Sequence, residues 1–152
     1  MDTAMTPHGV PGVIENTIDI AASADAVFDY CTDTRRETEW NPKMLEVVKL
    51  TDGPLGAGTR FDLRLDGVGW MSTEILEYHR PDRWTATGTS RLLDVRFEGE
   101  VTEAAHGSRL VVRTVLAPHG PLRLALPVLR TIMRRHWQTN LHTIKARLED
   151  GS

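Results

Sequence analysis

The chain has little that would staple it, anchor it in a bilayer or arm it for metal chemistry. Its 152 residues include a single cysteine, Cys31, so no disulfide can close within it. That fits a reducing compartment, and we expect a cytoplasmic protein. No apolar run approaches the ~20 residues that cross a membrane as a helix, which argues against an integral membrane protein. No metal motif is present: His136 and His142 are six apart and point to different sides of a helix. There is no Gly-x-Ser-x-Gly elbow, and no glycine-rich loop stands between a strand and a helix as phosphate binding requires. The glycines at 53–58 precede a strand and read as turn formers. We therefore expect neither metal nor cofactor, and Cys31 reads as a small buried apolar residue rather than a nucleophile.

What is present is an ordinary globular composition, 40% hydrophobic and 26% charged. The length suits one domain over 13–150 that buries roughly two-thirds of its unfolded surface. Residues 1–12, with Pro7, His8, Pro11 and Gly12, read as a flexible leader without a secretory pattern. The net charge of −3 is uneven, acid prevailing in 1–75 and base in 76–152. Arg123, Arg130, Arg134, Arg135, Lys145 and Arg147 crowd the C-terminal segment, with no acid there until Glu149. The plain reading is a solvated helix face; the alternative is a peripheral membrane contact through that basic face. An acidic chain with no aromatic-rich basic motif argues against nucleic acid.

The strongest periodic signal is also C-terminal. Leu126, Leu129, Met133, Trp137, Leu141, Ile144 and Leu148 recur at steps of three and four, one stripe of a helix over 121–150. Pro121 suits its first turn, and Pro127 predicts a kink or a helix that regularises only after it. Upstream, Val13–Ile20 alternates as a half-buried strand. Ser23 caps a short helix carrying Val27, Phe28 and Cys31 inward, and a second follows from Asp33, with Thr34 and Glu37 at capping-box spacing. Pro42 stops it beside Trp40 and Asn41.

A meander comes next: strands over 44–50, 59–66, 69–79, 83–87, 92–103 and 109–117. Asp66-Gly67, Arg80-Pro81-Asp82, Gly88-Thr89-Ser90 and Ala105-His106-Gly107-Ser108 supply the turns. The sum is an α+β fold, a curved antiparallel seven-stranded sheet wrapped around a long C-terminal helix, with two short helices after the first strand. A wide sheet must twist, and the space between it and a helix is hard to fill with side chains alone, so a cavity is expected.

Several segments carry a resemblance in their order and spacing. They are Ile18-Asp19-Ile20, then Ser23-Ala24-Asp25-Ala26-Val27-Phe28-Asp29-Tyr30, Asp33 and Trp40-Asn41-Pro42. Asp52-Gly53-Pro54, Gly56-Ala57-Gly58-Thr59-Arg60-Phe61 and Pro81-Asp82-Arg83-Trp84 follow. Gly107-Ser108-Arg109-Leu110 and Leu141 with Ile144-Lys145-Ala146-Arg147-Leu148-Glu149 complete the set. The chain resembles the START-like, helix-grip SRPBCC superfamily, and within it the polyketide cyclase/dehydrase and lipid-transport group. The resemblance implies a sheet gripping the helix around an apolar pocket for a lipid, isoprenoid or polyketide-like molecule. A minority of such proteins catalyse cyclisation or dehydration.

For that pocket the sequence nominates Trp40, Phe61, Leu63, Ile75, Val95, Phe97, Val112, Met133 and Trp137 as walls, and Tyr78, Arg130, His136 and Asn140 as polar groups. The leading reading is a non-catalytic binding or transport protein for a hydrophobic small molecule. The alternatives are a cofactor-free polyketide cyclase, aromatase or dehydratase and a membrane-docking lipid or quinone carrier. In the catalytic case His136 or Tyr78 is the acid/base and Arg130 or Asn140 polarises a carbonyl. Oligomeric state is left open by the sequence.

Overall fold

The structure, a computed structural model, describes residues 13–150; the leader expected over 1–12 lies outside them. The first alternating run forms strand β1 (Ile14–Ile20), with Ile14, Asn16, Ile18 and Ile20 buried and the residues between them exposed. Helix α1 (Ala24–Thr32) begins where the Ser23 hydroxyl accepts from the Ala26 amide at 3.1 Å. A 3₁₀ turn, Thr34–Glu39, follows directly. Its cap is the Asp33 carboxylate, which accepts from the Arg35 amide at 3.1 Å. The expected Thr34–Glu37 capping box is therefore not the device used, and Glu37 is left free for other contacts.

Strands β2 (Met44–Lys49), β3 (Arg60–Leu65), β4 (Gly69–His79), β5 (Arg83–Ser90), β6 (Leu93–Ala104) and β7 (Gly107–Pro118) then meander antiparallel. The sheet order is β1-β7-β6-β5-β4-β3-β2, so α1 and the 3₁₀ turn carry the chain from one edge to the other. Gly67, at φ 84°, allows the tight β3–β4 hairpin that Asp66-Gly67 announces. Gly88 is not in a turn, as its Gly-Thr-Ser context suggests. It continues β5, pairs with Val95 and lies under Met71, where a Cβ would come within 2.7 Å of the sulfur.

The inner face of the sheet is apolar, and the outer face is charged. On the outer face the nearly buried Arg113 reaches Glu15, Glu98 and Glu100 at 3.1, 3.4 and 3.2 Å. On the inner face Gly99 lets the Trp84 indole lie flat against the backbone; a Cβ there would sit 2.3 Å from the ring. A register shift between Ile75 and Glu77 turns Tyr78 to the inner side, opposite Trp84.

The C-terminal segment opens with a 3₁₀ turn, Gly120–Ala125, and becomes helix α2 at Leu126–Asp150. Pro127 occupies its first turn, where no helical amide is needed. From Arg134 onward α2 is clamped to β1. Asn16 donates to the Arg134 carbonyl at 3.1 Å and to Gln138 Oε1 at 3.3 Å. Lys145 donates to the Asp19 carbonyl at 2.9 Å, and the Ala21 amide donates to Glu149 at 2.8 Å. Leu141 and Ile144 are buried there, whereas Leu126, Leu129, Met133 and Trp137 on the same stripe are only half covered. The less covered front of this stripe leaves a gap against the sheet, and the gap is the cavity.

Candidate functional site

The gap is a cavity of about 580 Å³ between the inner face of the sheet, the front of α2 and the end of α1 with its 3₁₀ turn. Among its lining residues Lys43, Asp66, Gly67 and Ile132 are exposed, which places the mouth between the β3–β4 hairpin and the front of the helix. Leu110, Val112, Thr114, Asn140 and Ile144 are almost fully covered and form the closed inner end.

Of the residues nominated from sequence, Trp40, Phe61, Leu63, Ile75, Val95 and Phe97 line this cavity. Val112, Met133, His136, Trp137 and Asn140 line it as well. Tyr78 and Arg130 are not among the lining residues. Tyr78 packs edge-on against Phe28 with ring centres 5.2 Å apart, in the core behind the wall. Arg130 is half-buried, its Nε without a partner among the described residues.

A row of aromatic rings runs through the wall. Trp137 lies 5.7 Å from Trp40 and 5.3 Å from Phe97, and Phe97 lies 5.8 Å from Trp84, which meets Phe28 at 5.3 Å. Helix, sheet and crossover are thus joined by contacts at ring-stacking distance. Trp137 is the hub: it sits on the turn of α2 that Asn16 holds to β1 through Arg134 and Gln138.

Against this apolar lining the polar groups stand out. Asn140 is 1% exposed, and neither its amide nitrogen nor its oxygen has a hydrogen-bond partner among the described residues. Thr114 Oγ1 and Trp40 Nε1 are in the same condition, at 1% and 4% residue exposure. An unpaired buried polar atom costs about 1–3 kcal/mol, so three side chains in this state along one cavity are a feature to be explained.

Nearer the crossover, Asn41 Nδ2 donates to Glu37 Oε2 at 2.8 Å. Burial pushes the Glu37 carboxyl up to about 7, with the Asn41 hydrogen bond pulling the other way. Burial and the charge of Lys43 lower His136, keeping its ring neutral at pH 7. Burial pushes the Cys31 thiol up to about 12, so although it lines the cavity it is no nucleophile at neutral pH. The cavity thus offers one carboxyl able to hold or give a proton near neutrality, Glu37, a neutral imidazole at His136, and a set of neutral donors and acceptors.

Glu37, Asn41, Thr114, Met71 and Trp84 also line the cavity and were not singled out from sequence. Thr114 was findable: it is the one polar residue between Leu110, Val112 and Leu116 on the inward parity of its strand. Glu37 carried no such signal, because a 3₁₀ turn has no reliable inside. Among the described residues no three His, Cys, Asp or Glu side chains gather as a metal site, and no helix is long and apolar enough to cross a membrane.

The sequence profile of one family, described as polyketide cyclase/dehydrase and lipid transport, matches residues 11–149. No curated protein sequence matches the chain. Among solved structures, a hypothetical protein of Helicobacter pylori is similar at TM-score 0.78 and 15% identity, covering 91% of each chain. A Thermus thermophilus protein reaches 0.78 at 14% identity, covering 92% of this chain and 99% of its own. The Zhui aromatase/cyclase from Streptomyces reaches 0.76 at 16% identity, covering 90% of this chain and 93% of its own. At such identities these likenesses speak to the fold.

Proposed function

Because the chain belongs to the polyketide cyclase/dehydrase and lipid-transport family, we propose that residues 13–150 form one ligand-binding domain that holds a largely apolar small molecule between sheet and helix. The observation that carries this reading is the cavity itself: about 580 Å³, walled mainly by Phe, Trp, Leu, Ile, Val and Met side chains. Ligand pockets in proteins have this size and this character. Transfer of apolar surface from water supplies the affinity, and the few polar groups supply the orientation. Native mass spectrometry of the protein purified from its own host tests it. An added mass that disappears on extraction with organic solvent is the expected result; a protein free of adduct in every preparation overturns the carrier reading.

Catalysis in the same cavity, a cyclisation or dehydration, is the alternative that His136 and Glu37 favour, since both present exchangeable protons at the wall. Tyr78 and Arg130 would reach a guest only by moving.

A second reading of the surface concerns the mouth. Leu124, Val128 and Ile132 follow one another at steps of four and are all exposed, Leu124 at 89%. Arg123, Arg134 and Arg135 are exposed in the same stretch, and no Asp or Glu occurs between Glu103 and Glu149. An apolar ridge flanked by cations suits a peripheral contact with an anionic bilayer, placing the mouth at the lipid surface.

A further inference from the structure

The unpaired groups bear on how a guest lies, a question that rests on the ligand-binding reading above. Asn140 follows Trp137 by three residues, one turn along the same face of α2. The Trp40 ring touches Trp137, and Phe97, which touches Trp137 from the other side, is the cross-strand partner of Thr114. Three elements therefore bring the indole N–H of Trp40, the hydroxyl of Thr114 and both amide atoms of Asn140 to one neighbourhood around the Trp137 ring. The crossover, β7 and α2 each contribute one of them.

Around Asn140 and Thr114 the lining is otherwise Leu110, Val112 and Ile144, and the ionisable groups next to this set are the neutral His136 imidazole, one turn before Asn140, and Glu37, three residues before Trp40. The mouth carries the exposed, charged Lys43 and Asp66 as well as Ile132, with Val128 and Leu124 beyond it. The polar atoms left without partners are therefore the inner ones, since Lys43 and Asp66 at the mouth face solvent and stand 3.9 Å from each other.

We infer that the guest lies with its polar end inward: a neutral molecule bearing a hydroxyl and a carbonyl on one end of an apolar body, with that end on Asn140, Thr114 and Trp40. An anionic head is disfavoured because the lining beside these groups holds a neutral imidazole and a carboxyl but no cation, and an unpaired buried ion is far costlier than an unpaired amide. A pure hydrocarbon is disfavoured because it would leave the amide without partners. Asn140 presents donors and an acceptor, Trp40 a donor only, and Thr114 either, so a carbonyl oxygen with a nearby O–H answers the whole set.

The test is isothermal titration calorimetry with four probes on one ring skeleton: tetralin, 1-tetralone, 3-hydroxy-1-tetralone and tetralin-1-carboxylate. The expected order is hydroxyketone tightest, then ketone, then hydrocarbon, with the carboxylate weakest. Hydroxyketone should exceed hydrocarbon by about tenfold, the effect of one to two net hydrogen bonds. Asn140→Leu should shrink that preference to about twofold or less while tightening tetralin, since leucine removes the stranded amide. Thr114→Val and Trp40→Phe should each remove about threefold of the preference.

Thermal melts of each variant confirm that it is folded, and the two milder substitutions keep the question open should Asn140→Leu fail to fold. Equal binding of hydrocarbon and hydroxyketone by the wild type overturns the inward orientation and leaves the carrier reading standing. So does an unchanged preference in the folded variants, or a carboxylate that binds tightest. Binding of none of the four overturns both.

Discussion

Asn41 holds Glu37 by a 2.8 Å hydrogen bond while its own side-chain oxygen accepts from the Lys43 amide at 3.0 Å. The amide is fixed at both ends, so the carboxyl it touches is fixed too, at the wall of the cavity. Burial favours the protonated form there and raises the Glu37 carboxyl to about 7. Because the folded value lies above the ordinary one, the folded state binds the proton more tightly. The resulting stability is complete below the ordinary carboxylate range and is lost as pH rises towards and through 7. Thermal melts from pH 5 to 8 should show this decline in wild type and a shallower one in Glu37→Gln. His136, lowered by burial, acts in the opposite sense, losing stability as pH falls through its ordinary range, and is common to both proteins. Parallel wild-type and Glu37→Gln profiles would show that the carboxyl is not enclosed.

Gly99→Ala should destabilise the domain by about 1–3 kcal/mol, the usual penalty for forcing atoms into a packed core. The new methyl would stand 2.3 Å from the Trp84 ring, which cannot withdraw without disturbing Phe97 and Phe28. Urea unfolding measures this; a change below about 0.5 kcal/mol, the range typical of unremarkable surface sites, would mean the ring has room to move.

Asn16→Leu removes the hydrogen bonds that bind β1 to the Arg134 carbonyl and Gln138. Amide exchange should quicken around 134–138 while protection around Leu141 and Ile144, held by packing, changes little. Loss of stability of about 1–2 kcal/mol is expected. Uniform acceleration along all of α2 would contradict a clamp local to that turn.

For the exposed ridge, flotation with vesicles of phosphatidylserine and phosphatidylcholine should recover the protein, and pure phosphatidylcholine should not. Replacing Leu124, Val128 and Ile132 together by Ser should abolish recovery, and raised salt should weaken it. Recovery that is indifferent to lipid charge would set the membrane reading aside.

How far the sequence foretold all this depends on the kind of signal. The α2 stripe, the Ser23 cap and the Asp66-Gly67 hairpin were legible because each is a local rule written in adjacent residues. So was the lining by Phe61, Leu63, Val95 and Val112, which follows from alternation on uninterrupted strands. The position of Tyr78 was not, because the register shift after Ile75 changes which neighbours it meets, and such a shift leaves no mark on hydrophobic pattern. Gly88 was misplaced for a related reason: a glycine accommodating Met71 and a glycine making a turn are the same letter. Arg130 looked like a cavity group because it borders the stripe, yet a wheel gives direction and not depth. Glu37 was invisible, since its enclosure comes from the helix and sheet of distant sequence.

The row of rings in the cavity wall has an optical consequence. Three of the four tryptophans, Trp40, Trp84 and Trp137, border the cavity, while Trp70 is exposed on β4. A guest that settles beside them changes the surroundings of most of the indoles at once, so occupancy can be followed by native emission without a label. Trp70→Phe would clear the background. Indoles within 6 Å of other rings also couple electronically, giving near-ultraviolet dichroism that reports whether the guest leaves the row intact or parts it.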